Sequence, residues 1–511
     1  MDIIENLNKE QREAVEHIEG PCLVLAGAGS GKTKVLTTRI ANMINKGIYS
    51  GNILAITFTN KAAKEMRDRI SRIVSENYAF VGTFHSFGLR VIRENYELMG
   101  LSKNFTIIDS DDVASIIKKI MKELDINPKE YSVSFIRNKI SFIKNEMLSD
   151  GEIDKYLVSP PEKVAIKVYR EYEKILRRNN AVDFDDLLKR PVELLMSNED
   201  VLDKYQEKFK YILIDEYQDT KELQYVILGA ILKTGKDNKA FIVGDPNQSI
   251  YGNLGGFPMD KAQLENVTGL YYDELSLSYN YRSSSLLVSY FDYFKTYANK
   301  IEAVGKTKDY QSVISYNKTV SVEDLENEIV RIIKTNIDEY RISPNEICIL
   351  APQWIHLSGL TRNLMARLPQ YSFDGPGMAP FARDIDNFWY KLSRIILTDS
   401  TPGLYIRRLR WASEIVTNLL SIGVTNIDLS AKQILYICNS ISINEQDGLE
   451  YLKKFFDAFL ERVNIDINQN KYLKMHYDAF FDSSEKRIDS LKKKGANCTL
   501  IIPHLQSLLQ Y

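Results

Sequence analysis

One glycine-rich stretch near the amino terminus restricts the possible folds of this chain more than any other feature. Four apolar residues, Leu23 to Ala26, predict a short buried strand. The loop from Gly27 to Gly31 follows, and Lys32 and Thr33 then open an amphipathic helical pattern. A strand, a glycine loop and a helix start in this order predict a phosphate-binding loop, or P-loop.

The chemistry of a P-loop gives these residues separate tasks. Backbone N–H groups turn toward phosphate oxygens, Lys32 places a positive charge near the outer phosphates, and Thr33 offers a hydroxyl to Mg²⁺. Ala26 stands where the strict motif has glycine. The alternative is a glycine-rich turn with a chance Gly-Lys-Thr, but the flanking strand and helix favour nucleotide binding. The predicted nucleotide-binding residues here are Ala26, Gly27, Ala28, Gly29, Ser30, Gly31, Lys32 and Thr33.

Length and composition narrow the class of protein. A chain of 511 residues with 44% hydrophobic and 26% charged residues predicts several globular domains. The formal net charge of −2 neither requires nor excludes nucleic acid, because a binding channel can be locally basic. The four scattered cysteines argue against zinc, iron–sulfur and disulfide frameworks and fit a reducing cytoplasm. The acidic start is no signal peptide, and no apolar run is long enough to span a bilayer.

Two later strands end in residues suited to ATP chemistry. The apolar run 211–214 leads into Asp215 and Glu216, which suits a Mg²⁺ ligand followed by a base that orients and deprotonates water. Paired acids after a strand are often only a turn, yet after a P-loop the catalytic interpretation is favoured. The run 241–244 leads into Gln248, a candidate γ-phosphate sensor, and Tyr251, a candidate base-stacking residue.

Aromatic and basic residues at strand ends indicate a single-stranded nucleic acid. Phe58 ends the strand 53–58 and precedes a helix with five cations, beginning at Lys61. Such a ring stacks a base while the cations hold phosphates. A solvated helix face is the alternative. The segment 79–82 predicts a third strand, for which 83–86 forms a polar, aromatic tip.

The predicted fold is α/β, with the P-loop in a parallel sheet interrupted by helical insertions. We expect a first nucleotide-binding domain at 1–94 and 192–278 and a helical insertion at 95–191. A second, weaker α/β region at 279–382 has expected strands near 312–316 and 347–350 and an expected helix from 322 to about 340. A further helical insertion at 383–495 and an incomplete return to the second domain at 496–511 follow.

Taken in order, these motifs resemble those of the UvrD/Rep-type superfamily 1 DNA helicases over about residues 7–285. The matching segments are the Q motif at Gln11, motif I at 26–33, motif Ia at 57–63, a Thr-x-His segment at 83–86, motif II at 215–219, motif III at 244–251 and motif IV at 280–283. From its own sequence context Gln11 is better explained as a plain capping-box residue, and a surface salt bridge stays open for Arg282.

The resemblance implies a motor with RecA-like sheets that uses ATP and Mg²⁺ to step 3′→5′ along single-stranded DNA and to unwind tailed duplexes, in the DNA repair and replication class. It implies hydrolytic roles for Lys32, Thr33, Asp215, Glu216, Gln248 and Arg282. It implies adenine contacts for Gln11 and Tyr281, with Lys34 where the family often has arginine. It implies DNA contacts for Phe58, Asn60, Lys61, His85 and Tyr251.

Two departures from the family pattern shape the functional expectation. Asn253 and Leu254 stand where an aromatic residue and an arginine are usual, so one stacking contact is expected to be missing. No motif V or VI is recognisable, and the segment 497–504 begins like the approach to motif V. We therefore expect a truncated or frame-disrupted member that, taken alone, binds ATP and single-stranded DNA but unwinds poorly or not at all.

Three functions follow from these patterns. The first is an ATP-dependent DNA helicase. The second is a non-unwinding module that holds ATP and single-stranded DNA without turnover. The third, a P-loop kinase or other phosphotransferase, is disfavoured because such enzymes do not need a series of strand-end aromatic residues and a second α/β region.

Overall fold

The computed structural model shows two compact units, one at Met1–Ile314 and one at Ser315–Tyr511. It describes residues 3–232, 237–252, 255–295, 300–317, 321–352, 354–371, 373, 387–398, 405–421, 430–445 and 447–493. None of the helices in this described part combines the length and the apolar character needed to cross a membrane.

The first stretch of the chain alternates helices and strands. Its elements are α1 (Lys9–Glu16), β1 (Cys22–Ala26), α2 (Lys32–Asn45), β2 (Ile53–Ile56), α3 (Asn60–Ser71), β3 (Phe80–Gly82) and α4 (Phe84–Glu94). Residues of β1 and β2 are almost all buried, which suits parallel strands covered by helices on both faces. Asn8 and Gln11 form the capping box that starts α1, as the sequence predicts.

A helical segment then interrupts the sheet. Its elements are β4 (Thr106–Ile107), α5 (Ser110–Glu123), α6 (Val133–Asn145), α7 (Asp150–Tyr156), α8 (Pro160–Arg178) and β5 (Ala181–Val182). The helices share an apolar core that includes Ile117, Ile140 and Tyr172. The short strands β4 and β5 pair in parallel, so the segment leaves and rejoins the rest of the unit at one place.

The chain then returns to the first sheet. The next elements are α9 (Asp186–Ser197), α10 (Glu199–Lys208), β6 (Tyr211–Asp215), α11 (Glu222–Leu232), β7 (Lys239–Gly244), α12 (Lys261–Thr268) and β8 (Asp273–Leu277). Six parallel strands form a sheet in the order β3-β2-β6-β7-β1-β8. Their carboxyl ends share one edge, which is where open α/β sheets bind ligands. The predicted α/β fold with a parallel central sheet is thereby confirmed.

A short parallel pair completes the first unit. Its elements are β9 (Tyr279–Asn280), α13 (Ser285–Asp292) and β10 (Glu302–Ala303). Strands β9 and β10 pair in parallel over two residues each.

The second unit is helical in its described residues. It contains α14 (Val322–Asp338), α15 (Trp354–Arg367), α16 (Phe388–Leu397), α17 (Tyr405–Ser421), α18 (Ala431–Ser440), α19 (Gly448–Arg462) and α20 (Lys471–Lys493). A large apolar core centred on Trp389 and Phe456 joins α16 to α20. A smaller core around Ile333 and Leu364 joins α14 to α15.

Three local predictions differ from the structure. Neither 312–316 nor 347–350 forms a strand, because no described strand pairs with them; Ile347 and Ile349 instead pack on the α14–α15 core. Residues 83–86 are not a strand tip, since the Thr83 hydroxyl caps α4. Some predictions concern residues that lie outside the described part of the chain, namely Asn253, Leu254, 383–386 and 496–511. The domain boundaries stay predictions.

Candidate active site

The P-loop forms a tight turn between β1 and α2. The amide and the hydroxyl of Ser30 both donate to the Gly27 carbonyl, at 3.2 and 2.7 Å. Gly29 and Gly31 have φ angles of 69° and 89°, in the left-handed region that favours glycine. Helix α2 starts directly after this turn, so its first amide groups and positive dipole end face the loop.

Lys32 connects the P-loop to the acidic end of β6. Its Nζ donates to the Ala26 carbonyl at 3.3 Å and lies 3.7 Å from the Glu216 carboxylate. The ammonium group is largely buried, so its charge is weakly screened by water. The carboxyl groups of Asp215 and Glu216 both lie at the carboxyl end of β6, near the Lys32 ammonium group.

Asp215 is buried and carries a strongly perturbed carboxyl group. Burial, helped by the charge of Glu216 and opposed by Lys32, raises the pKa of Asp215 to about 7. The Thr57 hydroxyl and the Glu216 amide donate to this carboxyl group at 3.4 and 3.1 Å. The carboxyl oxygens of this buried acid are ligands of the kind that Mg²⁺ prefers, and the Thr33 hydroxyl on the first turn of α2 offers a further oxygen.

A chain of polar contacts leads from Glu216 to the loop after β7. Gln218 donates from Nε2 to the Glu216 carboxylate at 2.7 Å and accepts the Asp245 amide at 3.1 Å. Asp245 in turn accepts from Gln248 Nε2 at 2.7 Å. The structure therefore brings Lys32, Glu216 and Gln248 into one network.

The predicted adenine-contacting residues lie beside the P-loop. Gln11 is buried, its Nε2 donates to the Ser30 carbonyl at 2.9 Å, and its Oε1 accepts the Asn8 amide at 3.3 Å. Each of these atoms retains one further hydrogen or lone pair for a ligand. The Tyr281 hydroxyl accepts from the Asn8 side chain at 2.6 Å, whereas Lys34 donates to the Asn6 carbonyl at 2.8 Å.

The segment that carries Arg282 is fastened to the P-loop backbone. Asn280 Nδ2 donates to the Ala28 carbonyl at 2.6 Å, and the Tyr281 amide donates to the Gly29 carbonyl at 2.9 Å. Arg282 follows with an exposed side chain that forms no ion pair within the described residues.

A second group of predicted residues surrounds a pocket at the ends of β2 and β3. The rings of Phe58 and Tyr251 lie 4.7 Å apart between centroids, and both line the pocket together with His85. Asp215 and Glu216 also line this pocket, so it adjoins the acidic end of β6. Burial, with a smaller contribution from the charge of Lys221, lowers the pKa of His85 to about 4.

The basic helix beside this pocket offers fewer unpaired cations than its sequence suggests. Arg69 pairs with Glu65 at 2.5 Å, and Arg67 donates to the Val81 carbonyl. Asn60 and Lys61 occupy the exposed first turn of α3, directly after the Thr59 cap. They follow Phe58 by two and three residues in the chain, and neither lines the pocket itself.

Comparison with known proteins identifies the family. The family model described as the UvrD/REP helicase N-terminal domain matches residues 7–266, just over half of the chain. The chain belongs to the UvrD/REP helicase family. Strand β1, the P-loop, β6 and the loop after β7 all lie inside the matched range, so the network around Lys32 belongs to the family's own domain.

Several curated UvrD/REP-family relatives resemble the chain over this region. An ATP-dependent DNA helicase PcrA of Leuconostoc citreum is 40% identical over 287 residues, which cover 54% of this chain and 37% of the relative. The PcrA proteins of Staphylococcus aureus (strain Mu50) and Staphylococcus epidermidis are 39% and 40% identical over 295 residues, covering 56% of this chain and 39% of each relative. The chain thus spans less than two-fifths of the length of these relatives.

The structure adds contact residues that the sequence did not single out. Gln218 and Asn280 make the contacts described above, and Phe184 lies 6.1 Å from His85 between ring centroids. Ile301 packs on the P-loop, since a Cβ at Gly27 would lie 2.0 Å from its Cδ1. The sequence offers one clue to Gln218, which is its position inside motif II. Nothing in the sequence marks Ile301.

Proposed function

We propose that this chain is an ATP-dependent DNA helicase motor that couples ATP hydrolysis to 3′→5′ movement along single-stranded DNA and to duplex unwinding. The observation that carries the proposal is the junction of two sites. A P-loop network around Lys32 and Glu216 and a pocket between Phe58 and Tyr251 share the end of β6. The names of the PcrA relatives and the UvrD/REP match support the same activity.

Hydrolysis would use residues at the ends of three neighbouring strands. The P-loop amides and Lys32 would bind the phosphates, and Gln248 would sense the γ-phosphate. Glu216 would orient a water molecule and accept its proton. Mg²⁺, held by Thr33 and Asp215, would neutralise charge on the phosphate oxygens. Arg282 is exposed beside the loop, where it would stabilise charge on the transferred phosphoryl group.

Adenine would be read by Gln11 and Tyr281. Gln11 is held in one orientation by Asn8 and Ser30, and it keeps a donor and an acceptor for the base edge. Tyr281 offers a half-exposed ring for stacking. Lys34 would lie near that ring as a flexible charge rather than as the planar group of an arginine.

Single-stranded DNA would occupy the pocket lined by Phe58, His85 and Tyr251. Aromatic faces stack on any base, so binding of this kind has little sequence preference. Because the pKa of His85 is lowered to about 4, its ring would meet DNA uncharged at neutral pH. Lys61 and Asn60 would then contact the sugar-phosphate backbone of the DNA. The protein would work in the cytoplasm, whose reducing conditions suit its scattered cysteines.

Strand displacement with matched variants tests the proposal. If the chain is this motor, ATP drives unwinding of a 3′-tailed duplex more than of a 5′-tailed one, and single-stranded DNA raises the ATPase rate. Glu216→Gln keeps the shape of the side chain but cannot accept a proton, so it should bind ATP and hydrolyse it far more slowly. Turnover that is indifferent to DNA, or equal in Glu216→Gln, would contradict the proposal.

A second candidate is a module that binds ATP and single-stranded DNA without unwinding. It is favoured by one observation: after β8, the described residues contribute only the two-residue pair β9–β10 to a sheet. A motor of this type needs a second rigid domain to close on ATP. Tight binding of both ligands without strand displacement would select this candidate.

A further inference from the structure

Gln218 occupies the point where the candidate catalytic carboxylate meets the loop that carries Tyr251. Its side chain is 2% exposed, and both ends of its amide are used at once. The Nε2 group donates to Glu216, and Oε1 accepts the amide of Asp245. These two partners fix the orientation of the amide, because only a donor suits the carboxylate and only an acceptor suits the amide.

Among the described residues, Gln218 approaches the Glu216 carboxylate more closely than Lys32 does. The distance from Gln218 Nε2 to the Glu216 carboxylate is 2.7 Å, against 3.7 Å from Lys32 Nζ. The Glu216 backbone is in the left-handed region, at a φ of 52°, which a glutamate adopts at some cost. The direction of the Glu216 carboxylate therefore depends strongly on Gln218.

The same turn also holds the segment that leads to the base pocket. The Ser249 hydroxyl donates to the Gln218 carbonyl at 3.2 Å. Burial raises the pKa of the neighbouring Asp219 carboxyl group, and the nearby backbone of Tyr251 and Ile250 acts in the opposite direction. Movement of Tyr251 would consequently move the partners of Gln218.

The packing at the end of β7 is adapted to this arrangement. A Cβ on Gly244 would lie 2.3 Å from Gln218 Oε1 and 2.7 Å from a ring carbon of Tyr217. The absence of a side chain at Gly244 lets the Gln218 amide reach the backbone of the following residue, Asp245. The backbone of this turn therefore fixes the close approach of the Gln218 amide to Asp245.

We propose that Gln218 is a positioning residue that transmits the occupancy of the Phe58–Tyr251 pocket to the orientation of Glu216. A base stacked on Tyr251 fixes the segment from Asp245 to Tyr251, and the Gln218 amide, fixed in turn by Asp245, aims the Glu216 carboxylate at water. DNA then raises turnover through this one amide. The inference rests on the proposed function, since it assumes that Glu216 is the base and that the pocket binds DNA.

The test compares Gln218→Met with the wild type and with a matched control. Methionine has a similar volume but neither hydrogen bond. Gln206→Met removes an equally buried amide that donates to the Ala230 carbonyl and lies in neither site. ATP affinity, single-stranded DNA affinity, and turnover with and without DNA are measured for all three proteins.

We expect Gln218→Met to bind ATP and single-stranded DNA within about twofold of the wild type. Its DNA stimulation should fall about tenfold or more, as expected for the loss of a hydrogen bond to a charged group. Gln206→Met should keep its stimulation. In a double-mutant cycle, Tyr251→Ala should reduce stimulation in the wild type but add little in Gln218→Met, because both act on one path.

The outcomes separate this role from the proposed function. Full stimulation in a folded Gln218→Met protein, or additive effects in the cycle, overturns the role of Gln218 alone. A wild type whose turnover ignores DNA overturns both the role and the proposed function. If Gln218→Met does not fold, Gln218→Glu is measured in the same way, since it keeps the shape but turns an acceptor toward Glu216.

Discussion

Lys32 is the residue on which nucleotide binding depends most directly. It contacts the Ala26 carbonyl and Glu216 and is largely buried, so its removal deletes a weakly screened cation from a site for a polyanion. We expect Lys32→Ala to weaken Mg·ATP binding by about 100-fold or more, in line with charge-assisted contacts to phosphate. Equilibrium titration with a fluorescent ATP analogue measures the loss.

Lys46→Ala is the matched control for that measurement. Lys46 lies exposed just after the carboxyl end of α2, the helix that Lys32 begins. Its substitution should leave ATP affinity unchanged. An unaltered affinity in a folded Lys32→Ala protein would refute the assignment of the P-loop.

Ionisation of the buried Asp215 should lower the free energy of unfolding of the nucleotide-free protein as the pH rises. Its folded pKa of about 7 exceeds the model-peptide value of 3.8, so the folded state holds a proton that the unfolded state has released. The cost is absent below pH 3.8, grows between pH 3.8 and about 7, and is constant above that. Asp215→Asn should therefore raise Tm by several degrees at pH 8 in EDTA, and by less at pH 5.

Thermal unfolding at the two pH values checks this sign. Mg·ATP should stabilise the wild type more than Asp215→Asn, because the variant lacks the carboxylate that would hold the metal. A Tm gain that is larger at pH 5 than at pH 8 would contradict the burial of an ionisable Asp215.

Residues of the site were predictable where a motif is local. The P-loop, the acids after β6 and the aromatic rings of the pocket each follow a strand in the sequence, and the parallel sheet brings strand ends together. Asn280 was not predicted to hold the P-loop, because it reaches Ala28 across 252 residues. The packing of Ile301 on Gly27 likewise depends on tertiary structure alone.

At the scale of elements, a buried ion cluster joins helix α6 to the start of helix α9. Lys144 on α6 is fully buried and contacts Asp183, Glu173 and Asp186 at 2.7, 2.9 and 3.0 Å. These carboxylates raise the pKa of Lys144 against the effect of burial. Because Asp186 begins α9, which packs beside α4, the cluster fixes α6 relative to these two helices.

Lys144→Met should destabilise the protein strongly. Removing one partner of a buried ion pair leaves uncompensated charge, here three carboxyl groups, and costs about 3–5 kcal/mol. The matched control is Lys139→Met on the same helix, which removes a partly exposed pair with Glu162 at 2.7 Å and should cost only about 1 kcal/mol. Denaturant unfolding monitored by fluorescence gives both values, and equal costs would contradict the cluster's role.

Elements were predicted well where periodicity is strong and less well where apolar runs are short. Helices α5, α6 and α8 lie within 95–191, the segment that the sequence predicts to be helical. The runs 312–316 and 347–350 have strand-like composition, but a strand needs a partner, and Ile347 and Ile349 gain burial against helices instead. Sequence pattern alone does not distinguish these two ways of burying a short apolar run.

At the scale of the whole molecule, the net charge of −2 conceals a local arrangement of cations. On α3, the pairing of Arg69 and the use of Arg67 by a backbone carbonyl leave Lys61 and Lys64 as exposed cations without an ion pair in the described structure. DNA affinity should accordingly depend on a few phosphate contacts added to stacking on Phe58, rather than on the overall field of the protein.

Salt dependence separates the two contributions. Each phosphate contact on single-stranded DNA adds about 0.7 to the slope of log affinity against log salt, so Lys61→Ala should lower the magnitude of that slope by about 0.7. Phe58→Ala should weaken binding by about 1–3 kcal/mol, the usual value of one stacked base, with an unchanged slope. Titrations of a labelled oligothymidine at four salt concentrations measure both, with Lys46→Ala as the control for general charge. A slope unaltered by Lys61→Ala would place the phosphate backbone away from α3, and a slope altered by Phe58→Ala would show that the ring positions cations instead of stacking on a base.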